Sequence, residues 1–437
     1  MSSADDLLER VSTHVRVRTW LPIIAMPVLV FLQLVSPHRA WILLLSAMVG
    51  TTGAAYLWAR SLSRHVRLTR SLRFRVAQVG DWLEENLVLQ NDGRWPLLWA
   101  EMIDESNVPG YPRGRVVATG SDQAYHWEVS VPARRRGAYR LGPWSVTMRE
   151  PFGFFSVVQT YDQHQDLLVV PAVMRPPTLT LPHGIAAGRA VTRGSSADAT
   201  VSVSATREYT PSDPLRHIHW ASSAHAGRLM AKTFDTEVSG DVWLVLDLDA
   251  SVQAGEDEES TEEYQVILAA SLAEQLLRAN QAVGLAAHGN ETVHLVPARG
   301  ESQLWYILRR LATVRAQGSY PLSALMSDLR AGWQRQATVI LITPSTNPDW
   351  VSSVGWLLQR GMLPTAVLLD AASFGGPAGT EVVRDLVARL AVPHLVIGKG
   401  HRFELSRRSA EQAGVWEFKV TPLGRAVSVR TPRESTA

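Results

Sequence analysis

The sequence predicts a chain of mixed class, α/β plus all-β. An N-terminal transmembrane helical hairpin leads into a small antiparallel β-sandwich, and a doubly wound parallel sheet follows at the C-terminal end. Three observations predict this. Two stretches near the start carry no charge, the segment after them alternates in hydrophobicity with period two, and the C-terminal part alternates strand-like with helix-like patterns.

The hairpin comes first. Residues 19–35 read TWLPIIAMPVLVFLQLV and residues 41–59 read WILLLSAMVGTTGAAYLWA. Each is close to the ~20 residues that cross ~30 Å of hydrocarbon. A helical hairpin leaves no backbone polar group unpaired in lipid, and 36–40 (SPHRA) makes the turn. A signal peptide followed by a buried helix is the competing reading, but no small-residue cleavage site follows the first stretch. Gly50, Gly53, Ala54 and Ala55 suit close helix contact. Arg10, Arg16 and Arg18 precede the first stretch, Arg60, Arg64, Arg67, Arg70, Arg73 and Arg75 follow the second, and Arg39 alone lies in the turn. Positive charge stays inside, so the expectation is a plasma-membrane protein with two spans and both termini cytoplasmic. The basic run either touches anionic headgroups or is a topology signal continued by a solvated strand face.

Composition bounds the rest. The chain has 437 residues, 46% hydrophobic and 19% charged, which is enough for two or three cored domains and too little charge for a disordered chain. A formal net charge of +2 gives no basic field for nucleic acid. The absence of cysteine excludes disulfides, thiolate metal sites and cysteine nucleophiles. The predicted division is 1–64 (N-terminus and spans), 65–180 (sandwich), 181–240 (polar motif and linker) and 241–437 (α/β domain).

In the sandwich region, Trp127, Val129 and Val131 alternate with His126, Glu128 and Ser130. Turn signals recur at Asn91-Asp92-Gly93, Pro109-Gly110, Arg136-Gly137 and Gly142-Pro143. The segments 133–143 (ARRRGAYRLGP) and 150–155 (EPFGFF) predict turns that set paired aromatics into a core, with Arg134, Arg135 and Arg136 as a docking edge on the other reading.

Residues 207–229 (REYTPSDPLRHIHWASSAHAGRL) are dense in groups that recognise other groups. Arg207, Tyr209, Asp213, Arg216 and Trp220 can form a compact network, because Arg forks match carboxylates and Trp offers a ring face to a guanidinium. The network is either an internal brace or a recognition surface. His217 and His219 would share a face of an extended segment, a metal pair without a third ligand in register.

Here the chain resembles the domain-of-unknown-function 58 family, whose signature runs Arg-x-Tyr-x-x-Gly-Asp, then Arg-x-Ile-x-Trp, then Ser/Thr-Ala-Arg. Arg207, Tyr209, Asp213, Arg216, Ile218, Trp220 and Ala224 stand at matching places, while Ser212, His219 and His225 replace the usual Gly, Asp and Arg. What the last two positions do elsewhere is therefore altered here. The RGxYxLGP and PFGxF segments and the two-span start are also like this family.

In the C-terminal part, 242–249 (VWLVLDLD) reads as a buried strand ending in acids, and Ser260 with Glu263 as a capping box. Strands are predicted at 282–287, 338–343, 365–370 and 394–397, and helices at 303–314, 322–331, 350–360 and 381–390. No Gly-rich dinucleotide fingerprint or P-loop is present. Asp247-x-Asp249-x-Ser251 resembles the first metal loop of von Willebrand factor A domains, which holds a divalent ion at the sheet's crest. That resemblance implies Mg²⁺ on Asp247, Asp249, Ser251 and Ser319, in a degenerate form: Asp249 replaces a Ser, Ser319 the family's Thr, and Pro344 stands where a third acid is expected. The alternative is that Asp247 and Asp249 cap the next helix or pair with an Arg of the motif.

Two functions follow. The family resemblance implies a membrane-tethered interaction module whose partners are a MoxR-type AAA+ ATPase and a transglutaminase-like membrane protein, acting in the assembly or maturation of other proteins. The other is a metal-dependent hydrolase using Asp247 and Asp249 with a motif His, against which stand the missing third acid and the absence of a His-carboxylate pair at catalytic spacing.

Overall fold

The computed structural model describes residues 11–72, 74–177, 179, 202–210, 218–235, 240–330, 333, 336–401, 403–405, 415–420 and 426–431. The chain divides into two compact units, one of residues 1–170 with 412–437 and one of residues 171–411.

In the first unit, strand β1 (Val11–Val17) precedes two helices, α1 (Leu21–Val35) and α2 (Arg39–His65). Pro22 opens α1, where its missing N–H costs nothing. The α1 and α2 faces that carry Ile24, Phe31, Leu34, Leu43 and Leu57 are exposed. Among the described residues α2 is the one helix long and apolar enough to cross a membrane, and α1 is a shorter apolar helix of 15 residues. α2 runs further than its uncharged stretch, and its last turns have a different neighbour. Ala55, Ala59 and Leu62 are fully buried, and Ala59 and Leu62 belong to the core of the β-strands that follow.

Those strands are β2 (Val66–Leu72), β3 (Val76–Gln78), β4 (Trp82–Asn91), β5 (Leu97–Asp104), β6 (Gly114–Thr119), β7 (Gln123–Pro132), β8 (Gly137–Leu141), β9 (Trp144–Arg149), β10 (Phe155–Tyr161) and β11 (Gln165–Val170). They form sheets β1-β10-β9-β5-β6, β2-β4-β7 and β3-β11-β8, antiparallel except for the β3–β11 pair. Period-two burial joins the first two sheets: Leu68, Leu87, Leu89 and Trp127 face Ala100, Met102, Val146, Met148 and Val157 in one core. Two polar side chains pin the junction of α2 and β2 to β10. Gln159 donates to the Val66 carbonyl (3.0 Å), and the Tyr161 hydroxyl accepts from the Leu68 N–H (2.9 Å).

One expectation for the basic run fails here. Arg70 does not face headgroups or solvent; its side chain is 0% exposed. It is ion-paired to Glu85 and to Asp104 (2.9 Å), donates to the Tyr111 hydroxyl (3.0 Å), and lies 5.0 Å from the Trp144 ring centroid. Tyr111 in turn donates to Glu85. Burial works against the Arg70 charge, but the hydrogen bond and charge of Glu85, with Tyr111 and Asp104, outweigh it and hold its pKa above the ordinary value. A second expectation holds only in part. The Glu150 carboxylate does close the 150–155 turn, accepting from the N–H groups of Phe152, Phe154 and Phe155 (2.8 Å for the last). Phe155 packs against the core, but Phe152 is 45% exposed and stacks on Phe154 outside it.

The second unit begins with β12 (Met174–Arg175), β13 (Ser202–Glu208), the short helix α3 (Trp220–Ala226) and β14 (Met230–Asp235). Its body is a six-stranded sheet of β15 (Val242–Leu246), β16 (Val283–His288), β17 (Thr292–Ala298), β18 (Thr338–Thr343), β19 (Leu363–Leu369) and β20 (His394–Ile397), in the order β17-β16-β15-β18-β19-β20. All neighbours are parallel except β16 and β17. β15 is buried throughout, as a strand covered on both faces must be. α4 (Thr261–Arg278) packs on β15, β16 and β18, with α5 (Glu301–Thr313) beside it. On the face carrying Trp243 and Val245, α6 (Leu322–Leu329), α7 (Val351–Gln359) and α8 (Thr380–Arg389) pack instead. The capping box forms, Ser260 accepting from the Glu263 N–H at 3.3 Å. β21 (Glu404–Leu405) pairs with β12, and a final hairpin, β22 (Val415–Val420) with β23 (Ala426–Thr431), groups with the first unit.

Breaking the buried Arg70 cluster strands two carboxylates. Arg70→Met should destabilise the first unit by roughly 3–5 kcal/mol. Adding Glu85→Gln and Asp104→Asn should restore part of that, since no bare charge then remains. Thermal unfolding of the full chain in detergent micelles measures both, and a triple variant no better than the single one would contradict the ionic account.

Candidate functional site

β15 ends at the topological switch point of the sheet, between β16 and β18, where the carboxyl ends of the strands leave a crevice. The register sets Leu246 beside Ile342, so the next residue of each strand, Asp247 and Thr343, meet. The Thr343 hydroxyl donates to the Asp247 carboxylate at 2.6 Å, and Thr343 also accepts from the Ser345 N–H at 2.9 Å. Asp247 is 2% exposed. Burial pushes its pKa up to about 6, and the charge of Asp249 adds to that; the hydrogen bonds from Thr343 and from the Asp249 N–H pull the other way.

Asp249 performs a different job. Its carboxylate accepts from the Ser251 N–H (2.9 Å) and hydroxyl (2.8 Å), which caps the single 3₁₀ turn that follows. Gln253 then folds back and donates to the carbonyls of Asp247 and Asp249 at 2.9 and 3.0 Å. Its own carbonyl is held by Thr261 and Gln265 of α4, at 2.8 and 3.0 Å. The loop is thus fixed by α4 as well as by the sheet. Thr343 and Gln253 were not among the residues expected here. The signal for Thr343 was its place at the end of the strand beside β15, while Gln253 leaves no pattern in sequence.

Of the four expected ligands, Asp247, Asp249 and Ser251 come together. Ser319 is exposed, and it is the carbonyl of its neighbour Gly318 that reaches the loop, accepting from the Ala250 N–H at 3.0 Å. Among the described residues no three His, Asp or Glu side chains form a metal-holding cluster. The crest brings together the Asp247 and Asp249 carboxylates and the Ser251 hydroxyl, and Ser251 is bonded to Asp249.

The polar motif is placed in part. Asp213 and Arg216, with His217, lie outside the described residues. Arg207 stands opposite Ala231 in the β13–β14 pair, and the Tyr209 N–H donates to the Leu229 carbonyl at 2.9 Å, which closes the loop between them. His219 does not present a free ring: its Nδ1 accepts from the Ser222 N–H at 3.1 Å and caps α3. Ser223 ties that helix to β14, accepting from the Met230 N–H at 2.8 Å, and Gly227 ends it in the left-handed conformation. Trp220 opens α3, is 68% exposed, and has no ring or charge partner among the described residues.

A further cavity, of about 240 Å³, lies in the first unit beside the Arg70 cluster, between Leu87, Met102 and Trp127 and with Arg113 and Arg115 at its rim.

Residues 205–371 match the family described as "Protein of unknown function DUF58". That stretch holds β14, the crest loop and the switch point. An uncharacterized protein of Bacillus subtilis (strain 168), YeaD, is 27% identical over 144 residues, which are 33% of this chain and 34% of that relative. The chain therefore spans about a third of that relative's length. Among solved structures, the CARDB domain of the PF1109 protein from Pyrococcus furiosus is 14% identical, covering 25% of this chain and 96% of that one, with a TM-score of 0.18. Proximal thread matrix protein 1 from the mussel byssus is 15% identical, covering 30% of this chain and 37% of that one, with a TM-score of 0.23. Scores this low carry no argument about the fold.

The raised Asp247 pKa has a stability consequence of definite sign. Between the ordinary carboxyl value and about 6, the folded chain holds more protons at Asp247 than the unfolded chain. Its contribution therefore falls as pH rises through that window, by about 3 kcal/mol in total. The melting temperature of Asp247→Asn relative to the parent should rise between pH 4.5 and pH 7, read by thermal unfolding of both chains in the same detergent. A difference that is flat or falls with pH would contradict the burial argument.

Proposed function

We propose that the protein is a membrane-anchored interaction module: α1 and α2 form a two-span hairpin, and both units lie on the cytoplasmic side. The observation that carries this is the apolar sleeve on the two helices. Water would not leave so contiguous a surface uncovered, and lipid is the solvent that suits it. The Lys/Arg bias supports the orientation, since Arg16, Arg18, Arg60 and Arg64 flank the outer ends of the hairpin and Arg39 alone is at its turn.

The second unit is the presenting part. Its sheet order with one antiparallel strand, and the Asp-x-Asp-x-Ser loop at the end of its central strand, support a von Willebrand factor A-like reading. Its contact point is Trp220, a large aromatic held out from a capped helix, the kind of side chain that anchors protein interfaces. The partner in this reading is a MoxR-type AAA+ ATPase, and the work is the assembly or maturation of other proteins. Full-length tagged protein purified from its own membranes in mild detergent should bring this ATPase with it, and Trp220→Ala should cut the recovered ATPase at least tenfold. Recovery unchanged by that substitution would remove Trp220 from the interface, and absence of the ATPase from the parent sample would reject the partner.

A second reading, a metal-dependent hydrolase, has the proton-holding Asp247 in its favour. It predicts saturable Mg²⁺ or Mn²⁺ binding lost in Asp249→Ala, together with ester, phosphate or peptide turnover abolished by Asp247→Ala. The interaction reading expects titration calorimetry to give weak heats or none, and no turnover.

A further inference from the structure

The first helix of the hairpin is too short for the bilayer unless the β-unit comes down to meet it. α1 has 15 residues, about 22 Å at 1.5 Å per residue. α2 has 27, of which Ala59 and Leu62 are buried in the β-unit, and its apolar side chains stay exposed as far as Leu57. The part free to face lipid, residues 39–57, is about 28 Å long. A hydrocarbon core is ~30 Å thick. Such a deficit is met by local thinning or by drawing flanking structure into the interface.

The flanking structure at that level is the 150–155 turn. The Arg18 N–H donates to the Phe154 carbonyl at 2.8 Å, and the Thr19 hydroxyl to the Gly153 carbonyl at 3.0 Å, so the turn is bonded to the two residues before Trp20, the N-cap of α1. Phe155 meets Tyr56 of α2 edge-on at 5.8 Å. The start of α1, the turn and residue 56 of α2 therefore share one plane. Its outward aromatic groups are Phe152, exposed as noted, Trp20 at 63% exposure, and Tyr56, also exposed. Arg60, one turn beyond, donates to the Tyr56 hydroxyl at 3.2 Å and sets a cation where lipid phosphates would be. The turn can enter an interface without stranding its amides, because Glu150 takes three of them.

We propose that this collar, with Phe152 as its tip, is a lipid-interface seat of the β-unit: the unit does not hang from the hairpin in water but is partly embedded at the headgroup–acyl boundary of the bilayer. The proposal rests on the membrane-anchored reading above. The chain has no cysteine, so a single introduced one is a unique label site. Phe152→Cys and, as a distal reference, Ser130→Cys carry an environment-sensitive nitrobenzoxadiazole label. Ser130 is exposed and pairs with Glu84, seven residues along β4 from the Asn91 that pairs with the first residue after α2, or roughly 23 Å away. Each labelled full-length chain is reconstituted in phosphatidylcholine–phosphatidylglycerol vesicles with doxyl groups at acyl carbon 5 or 12. Position 152 should emit at shorter wavelength than position 130, and be quenched at least twofold more by the carbon-5 than by the carbon-12 lipid. If the protein floats with carbonate-washed vesicles but 152 matches 130, or is quenched more by the deep lipid, the seat is refuted and the anchor stands. If the protein does not float, the anchored reading fails and the seat with it.

Discussion

A single helix with an exposed apolar face and a buried one is the constraint on which the first unit depends. α2 carries an exposed apolar face as far as Leu57, while Ala59 and Leu62 on its later turns are sealed by the β-unit. Because the helix is continuous, the position of the sandwich is set by where that change falls. Small residues at 55 and 59 let the strands approach the helix closely, as small residues do wherever helices must be packed against at short range. The clasp of Gln159 and Tyr161 then satisfies the backbone of Val66 and Leu68, where the chain passes from helix to strand. A buried turn of this kind would otherwise strand its polar groups.

Packing of this firmness makes the charged cluster above it tolerable. Arg70 lies one strand-length from the end of α2, between the two sheets, and its charge is balanced by carboxylates that arrive from β4 and β5 and by the Tyr111 hydroxyl from the loop after β5. Such a cluster adds little net stability over an apolar core, but any other strand register would leave its charges unpaired. It is best understood as fixing how the two sheets face each other. The second unit uses its polar groups differently: Asp247, Thr343, Gln253 and Thr261 link the central strand to its neighbour and to α4.

Periodicity made much of this legible. The apolar stretches are helices, the strands at 338–343 and 394–397 have the expected ends, and the Ser260 cap forms as its spacing implies. What was missed depends on distance in sequence. Arg70 reads as one more cation in a basic run, because its partners lie 15 and more residues away and are brought to it only by strand register. β17 escaped notice because Pro297 interrupts its apolar alternation; an edge strand tolerates that proline and an interior strand would not. α3 is a single capped helix of seven residues, too short for any 3.6-residue period to show, and its cap is a histidine rather than the usual Ser, Thr, Asp or Asn. Aromatic residues average toward burial, which points the 150–155 turn into the core, yet Glu150 spends its carboxylate on the turn's own amides and Phe152 faces outward.

That last difference bears on how the hairpin and the strands of the first unit are joined. A β-unit held to the bilayer only by a flexible linker would sample many orientations, and anything it presents would be presented poorly. Here the link is a helix that enters the core, and the strand before α1 pairs with β10 along its whole length, from Val11 opposite Tyr161 to Val17 opposite Phe155. Both ends of the hairpin are therefore built into the same sheet system. A unit tied at two points to a pair of exposed apolar helices has few ways to rotate about them, because the link is packed rather than loose.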